Sequence, residues 1–208
     1  MKKGLTYGIY IYEQVAELDF VAPMQVFAAS NQFADGGRVV TLSCTGQTLS
    51  GLSGLRITPD YSLQNAPPLD VLLLPGTAEV SEYAWSEPTI LDWVRQQYEK
   101  VEYLAAVCTG GLILQKAGLL KGRRATTHWQ LMGALEGDPE ITALPDARYV
   151  RDGKIVTSQG VSAEWTWPCG LWARFMTRIT PALYAKFCST IRPRRILPKF
   201  RRLQPLPA

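Results

Sequence analysis

The chain has 208 residues, 47% of them apolar and 19% charged, with a net charge of +4. That length suits one domain with a sizeable core. The composition is that of a globular protein, outside the collagen-like, low-complexity and disulfide-scaffold classes. No apolar run approaches the roughly 20 residues of a membrane span. Cys44, Cys108, Cys169 and Cys188 show no paired or Cys-x-x-Cys spacing, and there is a single His. No zinc site follows from that set, and a reducing cytoplasm is the expected compartment.

Met1-Lys2-Lys3 is basic, but no small-residue cleavage site follows, so Leu5 to Tyr12 reads as a first strand rather than a leader. A helix is expected over Leu18 to Ser30, with Asp19 in its first turn, where the helix dipole favours a carboxylate. Pro23 marks an early turn or a break in it. Asp35-Gly36-Gly37 is a turn into a second strand, Arg38 to Cys44. Gly46 to Pro59 has the weak alternation of a small hairpin. Leu69 to Leu74 is a continuous apolar run ending at Pro75-Gly76-Thr77, as a parallel strand buried on both faces requires. Pro88 to Tyr98 reads as a helix with Ile90, Leu91, Trp93 and Val94 on its apolar side.

The stretch from Val101 to Leu120 is the centre of the chain. Val101 to Val107 is a buried strand, and Leu112 to Leu120 has near-helical spacing with Gly118 as an early stop. Cys108 sits at the join. A thiol on a tight strand-to-helix turn is pushed out at the sheet edge, facing unpaired amides and the positive end of the helix. Both favour the thiolate, the nucleophilic form.

Ala125 to His128 then reads as a short strand and Trp129 to Leu135 as a short helix. Ala147 to Val150 and Lys154 to Ser158 are strands around an Arg151-Asp152-Gly153 turn, and Gln159 to Ala163 leads into a last helix. Strands alternating with helices specify an α/β fold with a mainly parallel sheet and helices on both faces. Sites in such sheets lie at the carboxyl ends of the strands. Asp19, Gly76, Cys108, His128 and Gly160 each follow an expected strand, so they are expected to meet in one crevice.

Leu18-Asp19-Phe20-Val21-Ala22-Pro23, Pro75-Gly76, Val107-Cys108-Thr109-Gly110, Ala125-Thr126-Thr127-His128-Trp129 and Ser158-Gln159-Gly160-Val161-Ser162-Ala163 together resemble the DJ-1/PfpI superfamily, most closely its isonitrile hydratase branch. The resemblance implies a flavodoxin-like three-layer sandwich over residues 1–163, a small-molecule substrate, a homodimer, and no metal or organic cofactor. It implies a Cys nucleophile, Cys108, with Asp19 as its acid and Thr109 beside it. Gly76, Thr77, Gly110, His128 and Gly160 are then the expected oxyanion or substrate-binding positions, with the amides of Gly76 and Thr109 as the pair of donors for developing charge. Without the resemblance, Asp19 is as readily a helix-end charge, His128 a packed residue, Trp129 core or a pocket wall, and Thr109 a helix cap. The same blocks also form the front half of some AraC-type transcription regulators. No helix-turn-helix pattern follows in these 208 residues, which is read against that alternative. A glyoxalase-like reaction or a redox-sensing thiol are further readings of the same fold.

Thr77 stands where relatives commonly have a second Gly, and Ala22 where they often have Gly. The larger departure is residues 164–208. Residues 1–163 carry 13 Lys/Arg against 17 Asp/Glu, whereas 164–208 carry nine against one, with three of the six Trp. The family continues after Ser-Ala as Gly-(Ile or Met)-Asp-(Met or Leu)-Ala-Leu, but here Glu164-Trp165-Thr166-Trp167-Pro168-Cys169 follows. The genetic code accounts for this. Trp has one codon, TGG, and Glu begins with GA. Adding one G ahead of the Glu164 codon and regrouping gives Gly, then Met or Val, Asp, then Met, Leu or Val, Ala, and again Leu, Met or Val. The tail therefore reads as a shifted frame rather than as a diverged native tail or a basic nucleic-acid-binding extension. Pro193, Pro198, Pro205 and Pro207 deny it a helix, and no groove-reading motif is present. A short helix between Gly170 and Thr180 is expected at most, with no order beyond Arg192. Losing the closing helix would uncover one face of the sheet, at roughly 25 cal/mol for each Å² left exposed.

Overall fold

The computed structural model describes residues 4–31, 37–78 and 88–160. Continuous apolar runs form its centre. β6 (Val71–Leu74), β7 (Tyr103–Val107) and β11 (Ile155–Ser158) are buried at every position. A strand with no polar face must be covered on both sides, which is why these three lie side by side in the middle of a parallel array. Among the described residues the sheet has seven strands in the order β10 (Tyr149–Asp152), β11, β7, β6, β1 (Thr6–Tyr10), β2 (Arg38–Ser43), β5 (Tyr61–Ser62). β1, β2 and β5 complete one side, and β10 pairs antiparallel at the other edge.

Helices cover both faces. Side chains alternate along β1, so Tyr7 and Tyr10 point to opposite sides. Tyr7 stacks on Phe27 of α1 (Glu17–Asn31), with ring centroids 4.3 Å apart. Tyr10 lies against Trp93 of α2 (Pro88–Lys100), at 6.4 Å. α3 (Gly111–Lys116) packs beside α2, where Arg95 Nε donates to the Ala117 carbonyl at 2.9 Å. α4 (Met132–Glu136) follows a single helical turn over Trp129–Leu131. The result is a flavodoxin-like α/β sandwich.

Several expectations shift in detail. α1 runs through Pro23 instead of breaking there. Its ring forfeits only the bond to the Asp19 carbonyl, one turn back. Gly118 ends α3 as expected. It takes φ 73°, donates to Gln115 O at 2.8 Å, and lets Leu119 N–H reach Leu114 O at 3.0 Å. That pair of bonds closes the helix without a side-chain cap. The Gly46–Pro59 hairpin is two short antiparallel strands, β3 (Leu49–Ser50) and β4 (Arg56–Ile57). The strand read over Ala125–His128 is in fact β8 (Arg123–Ala125), paired with β9 (Ile141–Ala143) in a separate two-stranded sheet. The turn between β10 and β11 falls at Gly153-Lys154, since Asp152 pairs with Ile155. The last helix and everything expected of residues 164–208 lie outside the described residues.

Candidate active site

Register places the thiol. Leu74 pairs with Ala106 and Ser158 with Val107, so the segments leaving β6 and β11 flank the segment leaving β7. Val107 is still extended, Cys108 switches to φ 55°, and Cys108–Gly110 form a helical turn leading into α3. A left-handed residue with a side chain is strained, and such strain gathers where a reactive group must be aimed. Cys108 is a free cysteine, 8% exposed. Gly160, at φ 87°, lies directly against it: a Cβ there would collide with Cys108 Cβ and stand 3.0 Å from Sγ.

Asp19 reaches the same place from the opposite side. The Ala16 amide donates to Gly76 O at 2.9 Å, and the Tyr12 hydroxyl to Pro75 O at 2.9 Å, tying the start of α1 to the end of β6. Asp19 is 2% exposed and its Oδ2 accepts the Gly76 N–H at 3.1 Å. A Cβ on Gly76 would lie 2.9 Å from that oxygen, 2.6 Å from Thr109 Oγ1 and 2.7 Å from Thr109 N. The carboxyl group of Asp19 and the residue after the thiol thus face each other across the bare α-carbon of Gly76.

The hydrogen bonds reassign some expected roles. The Gly76 amide is committed to Asp19 instead of standing free for substrate, because a buried carboxyl oxygen needs a donor. The Thr109 hydroxyl donates to Thr77 O at 2.9 Å and accepts from Thr77 N–H at 2.8 Å. Its one proton therefore goes neither to the thiol nor to a helix cap, and the Thr77 amide is likewise taken. The Thr109 amide, at the mouth of the helical turn, is the remaining donor of the expected pair. Gly110 serves a steric end: a Cβ there would collide with Leu74 O and stand 2.8 Å from Pro75 O.

The segment leading to His128 runs differently from what its sequence context suggested, and it is Thr127 that touches the thiol turn. β8 lies outside the main sheet, and the loop after it crosses over the thiol turn. Thr126 N–H donates to Thr157 Oγ1 at 3.0 Å, and Thr127 Oγ1 to the Cys108 carbonyl at 2.8 Å. Thr127 is the contact that sequence reasoning missed, although it stands in the Ala-Thr-Thr-His block. Burial holds the His128 imidazole below its ordinary value of 6.5, so it is neutral at pH 7. Trp129, read as core or pocket wall, is 71% exposed. Its single helical turn carries it off the sheet rather than into it. Among the described residues, no group of three or more His, Cys, Asp and Glu can hold a metal ion. No helix among them is long and apolar enough to cross a membrane.

A thiol at the mouth of a helical turn, with a buried carboxyl group close by, can add to an electrophilic carbon and move protons around it. A family model described as the DJ-1/PfpI family matches residues 8–169. The chain is 37% identical over 161 residues to an isonitrile hydratase from Pseudomonas putida, covering 77% of this chain and 67% of that one. It is 31% identical over 160 residues to the HTH-type transcriptional regulator GbdR of Pseudomonas aeruginosa, 75% of this chain but only 42% of the regulator. Among solved structures, a ThiJ/PfpI family protein from Pseudomonas syringae matches with a TM-score of 0.78 at 27% identity, covering 96% of this chain and 79% of that one.

Proposed function

The chain belongs to the DJ-1/PfpI family, and from that premise we propose that it is a Cys-dependent hydratase that adds water to an isonitrile to give an N-substituted formamide. The observation that carries this reading is the likeness to isonitrile hydratase, 37% identity extending over two thirds of that enzyme. The site chemistry agrees with it. Cys108 thiolate attacks the terminal carbon of R–N≡C while Asp19 delivers a proton, giving the thioimidate R–N=CH–S. Asp19, now a carboxylate, takes one proton from water as its oxygen adds to that carbon, and the second water proton passes to the nitrogen. The C–S bond then breaks, the thiolate leaves, and R–NH–CHO remains. Water is the only co-reactant. The Thr109 amide faces charge that develops on the substrate, and the neutral His128 supplies a polar edge. A homodimer and a cytoplasmic setting belong to the same proposal.

A second reading takes the domain as the ligand-binding half of a transcription regulator, favoured by the likeness to GbdR. Incubating the purified protein with an alkyl isonitrile, beside Cys108→Ser, separates the two. Formamide that appears with wild type and not with the Ser variant supports the hydratase. No turnover, with saturable binding of a small molecule, supports the regulator module.

A further inference from the structure

The loop that follows β8 makes one contact with the thiol turn that satisfying the turn does not require. Thr127 is buried, and its Oγ1 donates to the Cys108 carbonyl at 2.8 Å. That carbonyl already accepts the Gly111 N–H within the helical turn. One donor spares a buried carbonyl the cost of an unpaired polar group. The Thr127 hydroxyl is a second donor, arriving from another element.

The approach is close and well anchored. A Cβ on Gly111 would stand 3.2 Å from Thr127 Oγ1 and 3.4 Å from Thr127 Cβ. Next to it, Thr126 N–H donates to Thr157 Oγ1 at 3.0 Å, and Thr157 pairs with Ala106 of β7. The hydroxyl is thus held from the central sheet. Cys108, at φ 55°, has a strained conformation that persists only where its surroundings fix it.

The carbonyl that Thr127 holds belongs to the same peptide plane as the Thr109 N–H. No peptide bond among the described residues is cis, and in a planar trans unit the C=O and N–H point opposite ways. The Thr109 nitrogen lies 2.7 Å from the point where a Cβ on Gly76 would stand, and Asp19 Oδ2 lies 2.9 Å from that point. Thr127 therefore pins one end of a plane whose other end opens toward Gly76 and the acid. Turning the plane over would put a carbonyl oxygen where the donor stands, facing a carboxyl oxygen.

We infer that Thr127 is a positioning residue of the thiol site, whose hydroxyl fixes the Cys108–Thr109 peptide plane so that the Thr109 amide donates to negative charge developing on the group that the thiol attacks. Thr127 acts through that plane and touches no reacting atom. The inference deepens the hydratase reading and rests on it for the identity of the substrate. Such a donor matters most in the transition state, where the charge appears.

The test compares two reactions of Cys108 in the full chain, each followed on the Cys108 peptide by mass spectrometry. With 4-nitrophenyl acetate, sulfur bonds to the acetyl carbon, an oxyanion builds on the carbonyl oxygen, and 4-nitrophenolate leaves. With iodoacetamide, sulfur bonds to the methylene carbon as iodide leaves, and no oxyanion forms. Thr127→Val keeps the shape and drops the hydroxyl. It should acylate about tenfold more slowly, part of the roughly 100- to 1,000-fold that losing such a donor costs, and alkylate at the wild-type rate. Thr127→Ser, which keeps the hydroxyl, should match wild type in both. Equal losses of acylation and alkylation in Thr127→Val overturn the inference, because a displaced thiol slows both. So does acylation that is unchanged in Thr127→Val, as slow in Thr127→Ser as in Thr127→Val, or absent in wild type. Turnover of an alkyl isonitrile is read separately. Thr127-dependent acylation without turnover refutes the hydratase reading alone. Turnover with acylation indifferent to Thr127 refutes this inference alone.

Discussion

Replacing Gly160 by Ala tests the geometry of the thiol most directly. The backbone there has φ 87°, and the added Cβ would collide with Cys108 Cβ and come within 3.0 Å of Sγ. The left-handed backbone costs a residue with a Cβ about 1–2 kcal/mol. Forcing an extra methyl into packed surroundings adds about 1–3 kcal/mol. Together these predict a melting temperature lower by about 4–20 °C, given about 2–4 °C per kcal/mol in a chain of this size. Gly122→Ala is the control. Gly122 has φ 69° and nothing within 4 Å of its Cβ position, so it carries the backbone cost alone. The difference between the two variants isolates the contact with Cys108. Because the collision partner is the thiol side chain, Gly160→Ala should also slow alkylation of Cys108 by iodoacetamide and reduce formamide production, and Gly122→Ala should leave both intact. Equal melting temperatures and equal alkylation rates in the two variants would refute the placement of Gly160 against Cys108.

Asp19→Asn should lower turnover about 100- to 10,000-fold, the usual worth of a positioned acid–base group. Its stability should fall less than that of Asp19→Ala, because the Asn carbonyl can still accept the Gly76 amide; equal melts for the two variants would argue against that bond. His128 gives a pH signature. Its pKa is lowered by burial in the folded protein, so the unfolded chain binds the proton more readily. Its contribution to stability is present above pH 6.5 and is lost as pH falls through the depressed folded value. His128→Gln should flatten the stability profile below pH 6.5, and an unchanged slope would contradict the burial of the imidazole. Finally, we propose that residues 164–208 are read in a shifted frame. Sequencing the coding DNA should show a shifted frame that stays open and spells Gly-x-Asp-x-Ala from the Glu164 codon once one G is restored. An early stop codon in that frame would end the proposal, and protein from the repaired gene should melt higher than the present chain.

The parts of the fold that were legible in the sequence are those under the strongest burial constraint. Leu69 to Leu74 and Val101 to Val107 have no polar alternation to offer solvent, so only a doubly covered strand can accommodate them. β5 (Tyr61–Ser62) and β9 (Ile141–Ala143) escaped notice because two or three residues at an edge need no pattern at all. The misplacement of β8 has a sharper cause. Ala125-Thr126-Thr127-His128 is β-branched and looks like a strand, but the Thr126 N–H is taken by the Thr157 hydroxyl and the Thr127 hydroxyl by the Cys108 carbonyl. Their side-chain bonds replace a ladder, and propensity cannot register that exchange.

The candidate site divides in the same way. That Asp19 meets Gly76 and that Gly160 meets Cys108 was readable, because the carboxyl ends of parallel strands converge whatever their loops contain; His128, after a strand outside that sheet, is not shown among them. How their hydrogen bonds are shared was not. Every backbone amide looks alike in a sequence, so the Gly76 and Thr109 amides appeared equally free to hold developing charge. In the structure, the buried Asp19 takes one of them, and the hydroxyl of Thr109 is closed in a reciprocal pair with Thr77. The departure at position 77 supplied the missing step. A glycine there could receive the Thr109 bonds through its backbone but could not reach Gln14. The Thr77 side chain and backbone therefore join the two strained backbone positions among the described residues, Gln14 and Cys108, through Thr109. That linkage ties the turn that follows β1 to the turn that carries the thiol.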